Sequence, residues 1–180
     1  MSRRVRNWRL QNFFATPAVV AFFGTLAIVA LGAKPSPGRA LVIWNATASA
    51  PIGLYRATHA QMPSRGDLVL ALPTPSLAAF AARRGYLPSG IPLVKRIAAV
   101  AGDAVCTRGQ AMFVNGRFEA ERLAADSQGR SLPTWSGCRT LRAGEVLLLM
   151  PEVPTSFDGR YFGPTPASQI VSILDPLWTR

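Results

Sequence analysis

The chain has 180 residues and a formal net charge of +11, enough for one domain of ordinary size and a short additional segment. It contains one histidine and two cysteines, too few for a zinc site built from three or four His and Cys ligands. No glycine-rich phosphate-binding pattern occurs either, so we expect no metal and no cofactor.

The beginning of the chain predicts a membrane anchor. Residues 1–10 contain four arginines, whereas residues 11–33 contain no charged side chain. A spanning helix needs about 20 apolar residues, and a basic flank favours the cytoplasmic side. We therefore expect a cytoplasmic tail at 1–10 and a transmembrane anchor at 11–33. The alternative is a secretory signal segment that is cleaved off, because the apolar core is short and small residues follow it.

Residues 34–39, Lys-Pro-Ser-Pro-Gly-Arg, predict a stiff linker between the anchor and a domain at 40–180. The chain between Ala33 and Ser49 can span only about 50 Å when fully extended. The beginning of the domain must therefore stay near the bilayer, on the side opposite the basic tail.

The domain is predicted to be mainly β. Short apolar runs bounded by Pro, Gly and Asn are typical of strands. Such runs occur at 40–44, 68–72, 111–114 and 145–150.

Two local patterns predict a turn and a helix. Asn115-Gly116 lies between short apolar segments and predicts a tight hairpin, because both residue types tolerate positive φ. Residues 75–84 predict a helix that has Thr74 or Ser76 as its cap and ends at Gly85.

The charge of the domain indicates lipid rather than nucleic acid as a partner. From Lys34 onward there are 16 basic and 9 acidic residues, with no basic run longer than Arg83-Arg84. Scattered basic side chains without interleaved aromatics are typical of a solvated surface or of one attracted to anionic lipid. We expect membrane lipid, and no nucleic acid, to contact the chain.

The two cysteines, Cys106 and Cys138, lie in the part of the chain that the topology places in an oxidising compartment. We expect them to form a disulfide, which would contribute about 3 to 4 kcal/mol to stability. Neither has a histidine near it in sequence, so a thiol nucleophile is disfavoured.

Lys95 is the candidate catalytic base. Of the 20 basic residues 18 are arginine, and Lys95 interrupts the apolar run at 91–100. A buried lysine loses its proton readily, whereas an arginine does not. The alternative is a lysine on an edge strand whose amine reaches solvent.

The candidate nucleophile is Ser49, which lies among small residues with Pro and Gly at 45–55. The single histidine, His59, lies in a polar stretch and is expected to be exposed, which disfavours a Ser-His-Asp triad. A hydroxyl nucleophile paired with an amine base remains, and this is a known variant of serine-protease chemistry.

Taken together, the segments at 45–55 and 94–105 resemble the type I signal peptidases, a serine-lysine family of membrane-bound proteases. Two further segments match that family in order: Arg-Gly-Asp-Leu-Val-Leu at 65–70 and Ser-Phe-Asp-Gly-Arg-Tyr-Phe-Gly-Pro at 156–164. The resemblance implies a mainly β fold, a β-barrel of the signal peptidase and LexA type with one N-terminal transmembrane helix. It also implies an inner-membrane protein with its catalytic domain on the periplasmic side.

The pattern Asn-x-Thr-x-Ser-x-Pro-x-Gly-x-Tyr at 45–55 is similar to that of the TraF-type peptidases of conjugative transfer. Those enzymes remove a short C-terminal tail from a pilin precursor and join the new C-terminus to the N-terminus. The resemblance implies a pilin precursor as substrate and components of the conjugation or type IV secretion apparatus as further partners.

The same resemblance implies roles for individual residues. Ser49 is the expected nucleophile and Lys95 the general base, with the Ser49 amide and the Thr47 hydroxyl as oxyanion donors. Asp158 is expected either to assist catalysis or to form a salt bridge with Arg160. Gly159 departs from the serine that is usual in the broader family.

Two alternatives stay open at this point. The chain could be an ordinary type I signal peptidase that hydrolyses N-terminal signal peptides. It could also be an inactive, anchored β-domain that serves as an interaction module in a secretion or conjugation complex.

Overall fold

The computed structural model describes residues 41–59 and 63–180. The predicted tail, anchor and linker (residues 1–39) and the predicted first residue of the domain therefore lie outside the described residues. Within those ranges no helix has the length and apolar character needed to cross a membrane. The described strands are β1 (Leu41–Asn45), β2 (Gly53–His59), β3 (Leu68–Ala71), β4 (Leu93–Ala99), β5 (Ala104–Arg108), β6 (Ala111–Val114), β7 (Arg117–Glu121), β8 (Gly137–Thr140), β9 (Glu145–Leu149), β10 (Thr165–Pro166) and β11 (Ile170–Thr179). The helices are α1 (Pro75–Arg84), α2 (Gly159–Phe162) and a 3-10 turn at Ala167–Gln169.

The strands form two antiparallel sheets, which confirms the prediction of a mainly β domain. The larger sheet has the order β1-β2-β11-β3-β4-β9-β10, and the smaller has the order β7-β6-β5-β8. The C-terminal strand β11 lies between β2 and β3, so the last strand in sequence is an interior strand of the larger sheet.

The expectation of a closed barrel is wrong for the described residues. The larger sheet is open, with β1 at one edge and β10 at the other. Strand β10 has only two residues, and its Pro166 has no N–H to donate to another strand. This edge therefore offers too little backbone to close the sheet on β1.

The predicted hairpin and helix are both present. Asn115 and Gly116 have φ values of 50° and 80° and connect β6 to β7. Helix α1 begins at Pro75 and ends at Arg84, and it is capped by Gly85, whose φ of 70° places it in the left-handed region. Thr74 occupies the N-cap position, but its side chain makes no capping hydrogen bond.

Strand β9 connects the two sheets because its side chains are buried on both faces. Leu147 and Leu149 pack into a cluster with residues of the smaller sheet, among them Val105 and Met112. Leu148 packs on the opposite side with β3 and β4 residues. A strand buried on both faces reads as a continuous apolar run, which is the pattern that the sequence has at 145–150.

Candidate active site

Lys95 is the third of the seven residues of β4, a strand that pairs with β3 on one side and β9 on the other. Its side chain is 0% exposed. Its Nζ lies 3.2 Å from Ser49 Oγ and 3.2 Å from the Ser49 carbonyl oxygen. The lysine is thus a buried residue that touches the candidate nucleophile, not an edge lysine that reaches solvent.

Burial determines the protonation of Lys95. Removal of the ammonium from water lowers its pKa from 10.5 to about 8. The Asp158 carboxylate acts in the opposite direction and raises the pKa, whereas the Arg160 guanidinium lowers it. Desolvation is the largest of the three effects. The apolar surroundings therefore lower the pKa of Lys95, and the charges of Asp158 and Arg160 only modify the size of this change.

The segment that carries Ser49 is the connection between β1 and β2. Asn45, the last residue of β1, pairs with Gly53, the first residue of β2, and this pair closes the base of the connection. A Cβ on Gly53 would lie 2.1 Å from the backbone oxygen of Trp178 in β11, so only glycine permits this approach of the strands. The connection is therefore held at its base by the larger sheet.

Asn45 organises the connection from within, a role that sequence reasoning missed. Its side-chain Nδ2 donates to the carbonyls of Thr47, Ala50 and Pro51 at 3.0, 3.3 and 3.0 Å. Its Oδ1 accepts from the Thr47 amide at 3.2 Å and from the Thr47 hydroxyl at 3.0 Å. Only a side-chain amide offers both functions there, so the asparagine in the 45–55 pattern was the signal for this role.

The Thr47 hydroxyl also lies 3.2 Å from Ser49 Oγ. Because Thr47 has one hydroxyl proton and donates it to Asn45, its oxygen is left to accept a proton from Ser49. In this arrangement the Ser49 hydroxyl accepts from Lys95 Nζ and donates to the Thr47 hydroxyl. For Ser49 to donate to Lys95 instead, the amine must be neutral and the Ser49 proton must turn towards it. For Thr47 to donate to an oxyanion, its proton must turn away from Asn45.

Asp158 and Arg160 form a buried ion pair next to this site. Their side chains are 0% and 1% exposed, and Arg160 Nη2 lies 2.7 Å from Asp158 Oδ2. The Asp158 carboxylate also accepts from Arg160 Nε at 2.9 Å, from the Arg160 amide at 3.1 Å and from the Met150 amide at 3.0 Å. Its hydrogen bonds therefore go to Arg160 and to the backbone rather than to Ser49 or Lys95.

Arg160 has further partners that fix the segment in place. It donates to the carbonyls of Met150 and Val153 at 3.0 and 2.7 Å, and to those of Pro154 and Glu121 at 3.3 Å each. A buried guanidinium is tolerated only when its donors are satisfied in this way.

Gly159, between these two residues, is required by its packing. A Cβ there would lie 2.8 Å from Leu147 Cδ1 and 2.8 Å from the Leu148 carbonyl oxygen. A Cβ atom does not approach another heavy atom that closely, and the carbonyl belongs to the β9 backbone and cannot move aside. The departure from serine thus follows from the close contact between this segment and β9.

Other residues named from the sequence lie away from this group. His59 ends β2 with an exposed side chain. Cys106 and Cys138 are cross-strand neighbours in β5 and β8 and are joined by a disulfide. Within residues 41–59 and 63–180 no cluster of His, Cys, Asp or Glu could hold a metal ion.

Comparison with known proteins identifies the family. Residues 11–178 match the family model described as signal peptidase, peptidase S26. A plasmid transfer protein TraF from Escherichia coli is 34% identical over 179 residues, which cover 94% of this chain and 99% of that protein. A conjugal transfer protein TraF from Agrobacterium fabrum is 33% identical over 172 residues, 90% of this chain and 96% of that protein.

Among solved structures, a signal peptidase I from Enterococcus faecalis V583 matches with a TM-score of 0.39 and 22% identity, covering 64% of this chain and 98% of that one. The family match extends over nearly the whole sequence. The chain belongs to the signal peptidase family, peptidase S26, and within it to the TraF type.

Proposed function

We propose that this chain is a membrane-anchored serine endopeptidase with Ser49 as its nucleophile and Lys95 as its general base. The contact of 3.2 Å between Lys95 Nζ and Ser49 Oγ carries the proposal. A nucleophile and a base must lie within hydrogen-bond reach, and an amine that serves as a base must be able to lose its proton. With a pKa of about 8, about a tenth of the Lys95 side chains are neutral at pH 7.

In the first half of the reaction, Ser49 Oγ forms a bond to the carbonyl carbon of the substrate and gives its proton to Lys95 Nζ. The Ser49 amide and the Thr47 hydroxyl stabilise the oxyanion that develops. When the C–N bond breaks, the Lys95 ammonium returns the proton to the leaving amine. The products of this half are a free amine and an ester on Ser49.

In the second half, a new nucleophile attacks the ester and gives a proton to Lys95, which passes it to the departing Ser49 oxygen. Water as nucleophile gives a linear product. An amine of the substrate itself gives an amide and hence a ring. Transfer to an amine needs only that the amine be held near the ester while water is excluded.

The substrate that we propose is a pilin precursor. The TraF relatives are named as plasmid and conjugal transfer proteins, and they match this chain almost from end to end. We propose that the enzyme removes a C-terminal tail from the precursor and joins the new terminus to the N-terminus. It would act at the periplasmic face of the inner membrane, with membrane lipid and conjugation components as neighbours.

A conventional signal peptidase is the second candidate function, because the family model that matches the chain is described by that activity. It uses the same first half of the reaction and then releases a linear product by hydrolysis. An inactive module is disfavoured, because a non-catalytic domain has no need for a desolvated lysine against a serine hydroxyl.

The intact mass of the product tests the proposal. A pilin precursor is co-expressed with the wild-type chain, with Ser49→Ala, or with the exposed control Ser89→Ala. We expect a truncated product that is lighter by one further water, formed by wild type and the control but not by Ser49→Ala. A truncated linear product would show that the enzyme hydrolyses the ester and does not cyclise the pilin. An unprocessed precursor with wild type would contradict the proposed substrate.

A further inference from the structure

Trp135, which precedes β8 of the smaller sheet, contacts the segment that carries the buried ion pair. The Trp135 indole Nε1 donates to the carbonyl oxygen of Gly159 at 3.0 Å, and Gly159 lies between Asp158 and Arg160. The indole also lies against Gly163 at the end of α2, where an added Cβ would be 3.7 Å from Nε1. One side chain thus bonds the first residue of this short helix and lies near the glycine that follows its last residue.

Trp135 is itself fixed by two buried residues. Its carbonyl oxygen accepts from the Thr107 hydroxyl at 2.9 Å and from Arg122 Nη1 at 2.6 Å. Thr107 is 4% exposed and Arg122 is 7% exposed. Because Thr107 belongs to β5, the position of the indole depends directly on the smaller sheet.

The disulfide reinforces the same region. Strand β8 begins two residues after Trp135, pairs only with β5 among the described strands, and is joined to it by Cys106–Cys138. All residues of β8 are exposed, so packing contributes little to its attachment. The covalent bond therefore keeps the chain beside Trp135 on the sheet.

Two weaker contacts connect the smaller sheet to the same segment. Arg160 Nη1 donates to the carbonyl of Glu121 in β7 at 3.3 Å. The amide of Leu123 donates to the Tyr161 hydroxyl at 3.2 Å. The hydrogen bond from Trp135 is shorter than both, and it is made to Gly159, the residue between Asp158 and Arg160.

We propose that Trp135 is a positioning residue that holds the segment 158–160, and with it the buried ion pair, in place beside Lys95. The inference rests on the proposed function, because it assigns a consequence to the environment of the general base. No direct contact of Trp135 with the substrate or with Ser49 is needed.

Removal of the indole N–H has a predictable consequence. The Gly159 carbonyl would retain only the hydrogen bond from the Gly163 amide, also at 3.0 Å, and the segment would be less constrained. A looser segment admits water to the surroundings of Lys95. Since burial is the main cause of the lowered pKa of Lys95, that pKa should rise towards 10.5.

The chain has only two lysines, Lys34 and Lys95, which makes this measurable without an activity assay. The full chain in detergent is labelled with ¹³C at lysine Cε, and the two signals are followed by NMR as a function of pH. Lys34→Arg assigns them. We expect Trp135→Phe, which retains a ring but lacks the N–H, to raise the pKa of Lys95 by about 0.5 pH unit or more.

A matched control and a second variant complete the test. Trp178→Phe is the same substitution at an exposed position of β11 and should leave the Lys95 titration unchanged. Thr107→Val, which frees the Trp135 carbonyl from β5, should shift it in the same direction as Trp135→Phe. If Trp135→Phe does not fold, the Lys95 titration of Thr107→Val tests the positioning role instead.

The pH midpoint of precursor processing should move with the NMR titration. A Lys95 titration in Trp135→Phe that coincides with that of wild type would overturn the positioning role. If wild type fails to process the precursor while Trp135→Phe still shifts the titration, the proposed function is wrong and the positioning of Lys95 by Trp135 stands.

Discussion

Arg160 Nη2 lies 2.7 Å from Asp158 Oδ2 in an ion pair that is removed from solvent, and Lys95 is close enough to respond to both charges. The two charges act on Lys95 in opposite directions, so their net effect on its protonation is small compared with that of burial. This arrangement separates two roles: the apolar interior lowers the pKa of Lys95, and the ion pair fixes the backbone around it.

The pH dependence of activity should follow the neutral form of Lys95. Because burial lowers the pKa of Lys95 to about 8, the fraction of neutral amine increases as pH rises through that value. We expect turnover to rise about tenfold per pH unit below pH 8 and to level off above it. The measurement is kcat/KM for precursor cleavage between pH 6 and 10, and a rate that is flat across this range would contradict the assignment.

The same lysine should make the protein less stable than it could be. The folded chain binds fewer protons than the unfolded chain between pH 8 and 10.5, so stability should rise with pH in that window. Below pH 8 the cost of burying the amine is complete, of the order of 3 kcal/mol. Lys95→Met should therefore raise the melting temperature at pH 7. It should also abolish the increase of stability with pH between pH 8 and 10.5. A lower melting temperature for Lys95→Met would show that burial of the amine is not a cost.

Removal of one partner of the ion pair should be strongly destabilising. Asp158→Asn leaves the Arg160 guanidinium buried without its counter-ion, at a cost of about 3 to 5 kcal/mol. The double variant Asp158→Leu with Arg160→Met should recover part of this loss, because neither charge is then left unpaired. Denaturant unfolding of the three forms is the measurement. If Asp158→Asn retains its stability but loses activity, Asp158 takes part in the chemistry instead.

A serine at position 159 should not be tolerated. Its Cβ would lie 2.8 Å from the Leu148 backbone oxygen, and the strand that carries this oxygen is packed on both faces. We expect Gly159→Ser to lower the free energy of unfolding by about 1 to 3 kcal/mol, as overpacking does elsewhere. Leu147→Ala should relieve only the side-chain part of the clash. Equal melting temperatures for wild type and Gly159→Ser would contradict this account.

Thr47 should matter for the rate more than for the fold. Thr47→Val removes the hydroxyl that we assign to the oxyanion and should lower kcat by about 10² to 10³-fold. Thr47→Ser retains a hydroxyl at the same place and should keep most of the activity. The exposed side chain makes a large loss of stability unexpected for either variant. If Thr47→Val and Thr47→Ser have the same kcat, the hydroxyl is not an oxyanion donor.

The sequence predicted local features well and long-range ones poorly. The Asn115-Gly116 turn and the helix at 75–84 depend on residues that are neighbours in the chain, and both are present. The insertion of β11 between β2 and β3 pairs residues that are 99 to 126 positions apart, and no local pattern indicates it. The sheet order, and with it the open form of the larger sheet, therefore could not be predicted.

Some residues of the candidate site could likewise be predicted from the sequence, and others could not. Lys95 was conspicuous because it is a lysine in an arginine-rich chain and an apolar segment, and its pairing with Ser49 followed from a family resemblance. Asn45 and Trp135 act through hydrogen bonds to backbone carbonyls, which any residue can supply. Backbone partners of this kind leave no trace in the sequence. The asparagine of the 45–55 pattern was a signal for Asn45, but its partners, and the whole role of Trp135, became visible only in the structure.

The central claim is that Ser49 and Lys95 act as one unit. The most direct test is the rate of precursor cleavage by wild type, Ser49→Ala, Lys95→Met and the double variant, each checked for folding by its melting temperature. Residues that act as a unit are not additive, so we expect each single variant to fall to background and the double variant to be no slower. Cleavage by Lys95→Met or Ser49→Ala at more than about a tenth of the wild-type rate would contradict the account.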